Sequence, residues 1–68
     1  MPQLELIKQS PDNCKTYKYN GIKFWVNPYN VIMQSDDWNI CDALIKAGLA
    51  TRKFYRWDYG HIEYKLNN

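Results

Sequence analysis

The dipeptide Asn20-Gly21, placed between two alternating segments, constrains the fold of this chain more than any other sequence feature. Asparagine and glycine tolerate the positive φ angles of a type I′ turn, which closes a two-residue β-hairpin. A loop of two residues also fixes the strand register, because each residue before it faces the residue at the same distance after it. The predicted cross-strand pairs are Tyr19 with Ile22, Lys18 with Lys23, Tyr17 with Phe24, Thr16 with Trp25 and Lys15 with Val26.

This register gives the hairpin one apolar face and one polar face. The residues of the predicted core face are Tyr17, Tyr19, Ile22, Phe24 and Val26. The residues of the opposite face are Thr16, Lys18, Lys23 and Trp25. Two lysines directly opposite each other are destabilising unless water or an anion separates them. The sequence therefore predicts a polar sheet face on which a tryptophan lies beside paired lysines.

Shorter strands are predicted on both sides of this hairpin. Residues 3–8 alternate weakly as a strand, and turn-forming residues follow at positions 10–13. The segment 27–30 interrupts the chain because Pro28 has no backbone donor and restricts the residue before it. Residues 31–33 then resume as a short strand or as a bulged continuation of the preceding one.

A helix is predicted from Ser35 to about Ala47. Ser35 is a favoured N-cap residue, and Asp36 and Asp37 in the first turn would interact favourably with the helix dipole. The residues spaced to form one apolar stripe are Trp38, Ile40, Cys41, Leu44, Ile45 and Ala47.

The end of this helix is specified as clearly as its start. Gly48 supplies the left-handed position after the last turn, and Leu49 can fold back on Leu44 or Ile45, as in a Schellman motif.

A second hairpin is predicted after the helix, from alternating residues 52–57 and 61–66 around Tyr59-Gly60. With a loop of those two residues, the core face pairs Trp57 with Ile62, Tyr55 with Tyr64 and Lys53 with Leu66. The outer face pairs Arg56 with Glu63 and sets Phe54 beside Lys65. Tyrosine is unfavourable at positive φ, so this turn is specified less strongly than the first.

Together these elements predict an α+β fold, with a single helix packed on an antiparallel sheet of four to five strands in the order β-hairpin, helix, β-hairpin. A chain of 68 residues forms one modest core, so residues 1–68 are expected to make a single small domain. No apolar run is long enough for a membrane span or a signal peptide, which favours a cytoplasmic location. The spacing of Cys14 and Cys41 fits neither a CxxC motif nor a zinc-ligand pair and favours reduced thiols.

The sequence carries no recognisable catalytic motif. His61, the only histidine, has no Ser or Cys partner nearby, and no nucleophile elbow, phosphate-binding loop, dinucleotide fingerprint or metalloprotease motif occurs. A helix start explains Asp36 and Asp37 better than catalysis or a metal site does. We therefore expect no enzymatic activity, no catalytic residue, no cofactor and no metal, and a role in binding.

The segment 31–49, with Ser35-Asp36-Asp37-Trp38-Asn39 at its centre, resembles the start of the KilA-N and APSES DNA-binding domains. In that family a β-hairpin precedes an Asp-Asp-Trp segment, which leads into a helix with an apolar-Leu-Lys-Ala type of ending. The resemblance implies DNA binding, with Arg52, Lys53 and Arg56 at the position where the family's recognition helix begins. The chain departs from the family after Gly48, because it alternates like a strand there and has no Gly-rich wing.

Two binding functions are compatible with these residues. The first is protein binding, because three Trp and six Tyr exceed what one small core can hide and such rings anchor interfaces together with Arg. The expected anchors are Trp25, Tyr29, Phe54 and Arg56. A small accessory or inhibitor protein of the kind that phages and mobile elements direct against a host factor would use such a surface. A homodimer formed through the same rings is compatible with this function.

The alternative is nucleic-acid binding, in which basic side chains contact phosphates and Trp25 or Tyr29 stacks on a nucleobase. The basic residues expected to take part are Lys15, Lys18, Lys23, Arg52, Lys53 and Arg56. The net charge of +2 mildly favours a protein partner, whereas the clustering of these bases mildly favours nucleic acid.

Overall fold

The structure is a computed structural model that describes residues 3–67. It has an α+β fold, in which four strands precede one helix and two strands follow it. The elements are β1 Glu5–Gln9, β2 Lys15–Tyr19, β3 Ile22–Val26, β4 Ile32–Ser35, α1 Ile40–Lys46, β5 Ala50–Tyr55 and β6 His61–Leu66. No helix within the described part of the chain has the length and apolar character that a membrane span requires.

The first hairpin has the predicted register. Asn20 and Gly21 form the turn with φ angles of 50° and 80°, and every predicted pair from Tyr19 opposite Ile22 to Lys15 opposite Val26 is formed. The predicted core face is also confirmed, because four of its five side chains are buried and Ile22 packs against them. Local turn chemistry is therefore sufficient to place this half of the sheet.

Two further strands extend this hairpin into a four-stranded antiparallel sheet of order β1-β2-β3-β4. β1 pairs with β2 with a register shift between Leu6 and Lys8, and every side chain of β1 is exposed. β4 pairs with β3 with a shift between Trp25 and Val26. The predicted strand after the 27–30 interruption is therefore present, and a β-bulge in this ladder aligns it.

The helix begins later than predicted. α1 starts at Ile40 with Asn39 as N-cap, whereas Ser35 is the last residue of β4. The Ser35 hydroxyl instead bonds both backbone groups of Asp37, donating to its carbonyl at 2.8 Å and accepting from its N–H at 3.2 Å. The same residue types favour turns and helix starts, because a short polar side chain can bond nearby backbone in either.

The end of α1 is the predicted Schellman motif. Gly48 has φ +75°, its N–H donates to the Ile45 carbonyl at 3.0 Å, and the Leu49 N–H donates to the Leu44 carbonyl at 2.8 Å. Leu49 also packs against the buried core to which Leu44 belongs.

The second hairpin forms with a different loop and register. Its loop is residues 56–60, and Tyr55 pairs with His61 rather than with Tyr64. The observed register differs from the predicted one by three residues, which is an odd number. Residues of β6 that were predicted to share a face with given residues of β5 therefore lie on the opposite face. Ala50 and Leu66 are the buried pair at the base of this hairpin, and Trp57, predicted to be core, is 82% exposed in the loop.

The core lies between the inner face of the four-stranded sheet, α1 and the base of the second hairpin. The largest fully buried side chains are Phe24, Val26, Ile40, Cys41, Leu44 and Leu66. Trp38, predicted to belong to this core, lies before the helix and is half-exposed, and Ala47 is exposed. The predicted α+β fold with a single helix and an antiparallel sheet of four to five strands is confirmed in part, because four strands form one sheet but β5 and β6 form a separate two-stranded sheet.

Candidate binding site

Trp25 lies on the outer face of the four-stranded sheet and is half-buried. Its ladder neighbours are Thr16 on β2 and Gln34 on β4. The ring therefore covers the sheet between polar side chains, and it is less accessible than the other predicted anchors.

The predicted lysine pair is flanked by carboxylates. Lys18 and Lys23 face each other as expected, but Glu5 pairs with Lys18 on the far side. Asp36 follows on the other side, where its N–H donates to the Lys23 carbonyl at 3.1 Å. The row thus has one carboxylate at each end and two lysines in the middle, which reduces the positive potential expected from the lysines alone. Lys15 pairs with buried Val26 and so projects from the same face as Val26, which is the face opposite to Lys18 and Lys23.

The remaining predicted bases lie on the second hairpin. Arg52 and Lys53 are exposed on β5, and as neighbours in a strand they project from opposite faces. Arg56 is in the loop, so its predicted pairing with Glu63 is wrong and Lys53 takes that place in the ladder. Phe54 is 61% exposed, faces Ile62, and its ring would lie 3.6 Å from a Cβ atom added at Gly60.

A cleft with exposed aromatic rings lies between β4 and β6, and we call it the apolar groove. Its volume is about 580 Å³, its walls are residues 31–33 and 61–64, and its rim carries Asn27, Tyr29 and Trp38. This volume is in the range of ligand-binding clefts in proteins. Only Tyr29 among the four predicted protein-binding anchors lines it. Sequence reasoning had placed none of the other lining residues at a site, and the large exposed or aromatic ones among them are Met33, Trp38, Ile62 and Tyr64.

Tyr29 is held on a turn by the side chain of Asn27. The Asn27 Oδ1 atom accepts hydrogen bonds from the N–H groups of Tyr29 and Val31, both at 2.9 Å. The backbone N–H of Asn27 also donates to the Val31 carbonyl at 2.9 Å, and Asn30 adopts φ +67° to close the turn. The loop is therefore fixed while the ring of Tyr29 is 77% exposed.

Trp38 is placed by a second turn of the same kind. The Ser35 hydroxyl bonds the backbone of Asp37, and the Asp37 Oδ1 atom accepts the Asn39 N–H at 3.0 Å. The indole follows Asp37 directly and is 51% exposed. Two aromatic residues at the rim of the apolar groove thus lie on turns. Each turn is held by hydrogen bonds between the side chains of neighbouring residues and the backbone.

The groove lacks the chemistry of a metal or thiol site. No group of three or more His, Cys, Asp or Glu in residues 3–67 is arranged to hold a metal ion. Cys14 and Cys41 are both free, and Cys41 is in the core, where burial and then the nearby Asp42 carboxylate raise the pKa of its thiol to about 11. His61 stacks on Tyr55 with ring centroids 5.9 Å apart.

The chain matches no family model, and comparison with curated proteins and with solved structures also finds no match.

Proposed function

We propose that this chain is a small non-enzymatic protein-binding module that uses the apolar groove as its contact surface. The observation that carries the proposal is the convergence of exposed Tyr29, Met33, Trp38 and Ile62 on one cleft. Large exposed apolar side chains gathered in one place are typical of interaction sites, whereas scattered ones are ordinary surface. A role as an accessory or inhibitor protein of the phage or mobile-element kind, acting on a host factor, fits a module of this size.

The energetic argument favours Tyr29 and Trp38 as anchors. Tyr and Trp contribute large contact areas at low conformational cost, and truncation of such residues at an interface centre typically costs about 2 kcal/mol or more of binding free energy. Phe54 faces Ile62 on the neighbouring strand, so it extends the same apolar surface toward the hairpin tip. Arg56 lies beyond it in the loop, at the edge of the proposed interface.

The test compares partners captured by the wild-type protein with those captured by three variants. Tyr29→Ala and Trp38→Ala should each lose the specific partner by at least about thirtyfold in affinity, the equivalent of ~2 kcal/mol. Trp57→Ala is the matched control, because Trp57 is 82% exposed but does not line the groove. Circular dichroism should be unchanged in all three variants. Equal loss in the control, or retention in both groove variants, would rule out the groove as the binding surface.

DNA binding by a KilA-N/APSES-like module is the second candidate. The second hairpin is a better candidate for the DNA-binding surface than the four-stranded sheet. Arg52, Lys53 and Arg56 are all exposed on this two-stranded ribbon, and a β-ribbon has the dimensions to enter a major groove. Titration of tryptophan fluorescence with duplex and single-stranded DNA at low and moderate salt tests this candidate. Phosphate contacts would give a saturable change that weakens steeply with salt and decreases in Lys53→Glu.

A further inference from the structure

The two walls of the apolar groove are strand edges. Residues 31–33 form one wall and residues 61–64 form the other. Side chains of a strand alternate between two faces, so consecutive residues can line one cleft only where the cleft runs along the strand's edge. The groove is therefore bounded by backbone as well as by aromatic rings.

These two edges have no ladder partner inside the groove. Within residues 3–67, β4 pairs with β3 and β6 pairs with β5, and between β4 and β6 there is only the isolated antiparallel bridge from Val31 to Lys65. The Leu66 N–H donates to the Asn30 carbonyl at 2.8 Å beside this bridge. Beyond it the strands separate, and every second residue of each edge turns its N–H and C=O outward. Such an edge is a template for another extended chain.

The charge of the groove indicates which kind of chain would fit. Glu63 is the one groove residue with a formal charge at neutral pH when His61 is neutral. The rings of Tyr29, Trp38 and Tyr64 line the same cleft, and the faces of aromatic rings attract Lys and Arg. Lys53 lies opposite Glu63 in the ladder, but an exposed pair of this kind contributes little. The Glu63 carboxylate can therefore accept a second cation.

We propose that the apolar groove receives an extended peptide segment of a protein partner, which adds as a strand to the edge of β6 and directs a Lys or Arg side chain toward Glu63. The open edge at residues 61–64 offers four residues, roughly 13 Å of strand at ~3.3 Å per residue. Main-chain hydrogen bonds hold the segment, and the aromatic rim with Glu63 selects its side chains. This inference rests on the proposed protein-binding function and names the chemistry of the partner.

The experiment selects ligands from a displayed library of random nine-residue peptides, using the immobilised full chain and counter-selection against Trp38→Ala. The expected peptides carry Lys or Arg, alternate with apolar residues and have no central proline. Their binding should move the amide NMR resonances of residues 31–33 and 61–64. A selected peptide N-methylated at alternate residues cannot donate to the strand edge and should bind at least tenfold more weakly. Glu63→Gln should weaken binding severalfold, whereas Trp57→Ala should not.

Several outcomes would overturn the inference. They are acidic or proline-rich winners, equal binding of the N-methylated peptide, resonance changes outside the groove, or no peptide that depends on Trp38. Groove resonances that move with protein concentration alone would assign the groove to a second copy of the chain, and movement with duplex DNA alone would assign it to nucleic acid. If peptides fail while Tyr29→Ala and Trp38→Ala still lose the captured partner, only the strand-addition inference fails. If neither variant affects capture, the protein-binding proposal fails with it.

Discussion

Replacing Tyr59 by asparagine should stabilise the protein. Within residues 3–67 the non-glycine residues with positive φ are Asn13, Asn20, Asn30 and Tyr59, so tyrosine is the one that lacks a side chain suited to this region. An ordinary L-residue in the left-handed region costs about 1–2 kcal/mol relative to the right-handed one, and asparagine reduces this cost by local hydrogen bonding. The Tyr59 side chain is 104% exposed, so its removal loses no buried area.

The expected gain for Tyr59→Asn is therefore about 1 kcal/mol in the free energy of unfolding, or a rise of roughly 4–8 °C in Tm for a domain of this size. Urea unfolding followed by circular dichroism measures it, with the slope against urea unchanged because the exposed surface is unchanged. Tyr59→Ala is the matched control, since alanine also has a Cβ atom but lacks the polar side chain whose local hydrogen bonding favours the left-handed region. The reasoning is refuted if the asparagine variant is no more stable than the alanine variant.

Three further predictions concern the core, the outer sheet face and the buried thiol. Leu44 is fully buried, so Leu44→Ala should cost about 2–5 kcal/mol in urea unfolding, whereas Leu6→Ala on exposed β1 should cost under ~1 kcal/mol. Lys23→Glu removes the like-charge pair with Lys18 but places a second carboxylate beside Asp36, so the two effects oppose each other and the free energy of unfolding at low salt should change by less than ~0.5 kcal/mol; a larger change that disappears at high salt would contradict this balance of charges. Burial raises the pKa of Cys41 from 9.0 to about 11, so its stabilising effect is complete below pH 9 and is lost as pH rises to about 11; urea midpoints should fall less steeply over that window in Cys41→Ala than in wild type.

The first hairpin could be predicted because its information is local. Asn20 and Gly21 fix both the turn and the register, and the alternation of the flanking residues agrees with the face that the core requires. The end of α1 is local in the same way, since Gly48 determines where the chain leaves the helix. Both features need only a few neighbouring residues, so tertiary contacts do not have to be known.

The second hairpin depended on distant contacts. Tyr59 and Gly60 do adopt positive φ, as a turn requires, but they end a five-residue loop instead of forming a two-residue one. Alternation alone cannot distinguish these registers, because it indicates which residues share a face and not which face is buried. Burial of Ala50 and Leu66 against α1 and the larger sheet is consistent with the observed register and leaves Trp57 outside the core.

The sequence predicted the residue types of the candidate site but not their arrangement in space. An excess of aromatic residues indicated that some would be exposed, and Tyr29 was correctly expected at the surface. The groove itself exists because Val31 meets Lys65, 34 positions further along the chain, and the strands separate beyond that bridge. No local pattern encodes this contact. Trp38 was assigned to the core because the Ser35 turn uses the residue types of a helix start.

The protein-binding function that we propose would use a groove whose rim is already ordered in the free chain. The entropic cost of binding is smaller when the surface is already ordered, because ordering side chains and loops on binding otherwise reduces the binding free energy. Asn27 holds the loop that carries Tyr29, and Ser35 with Asp37 holds the turn that precedes Trp38. Both sets of hydrogen bonds satisfy backbone donors near the surface, so they fix the rings without drawing them into the core. In a chain too short to bury all of its aromatic residues, this places two of them where their exposed area can serve one interface.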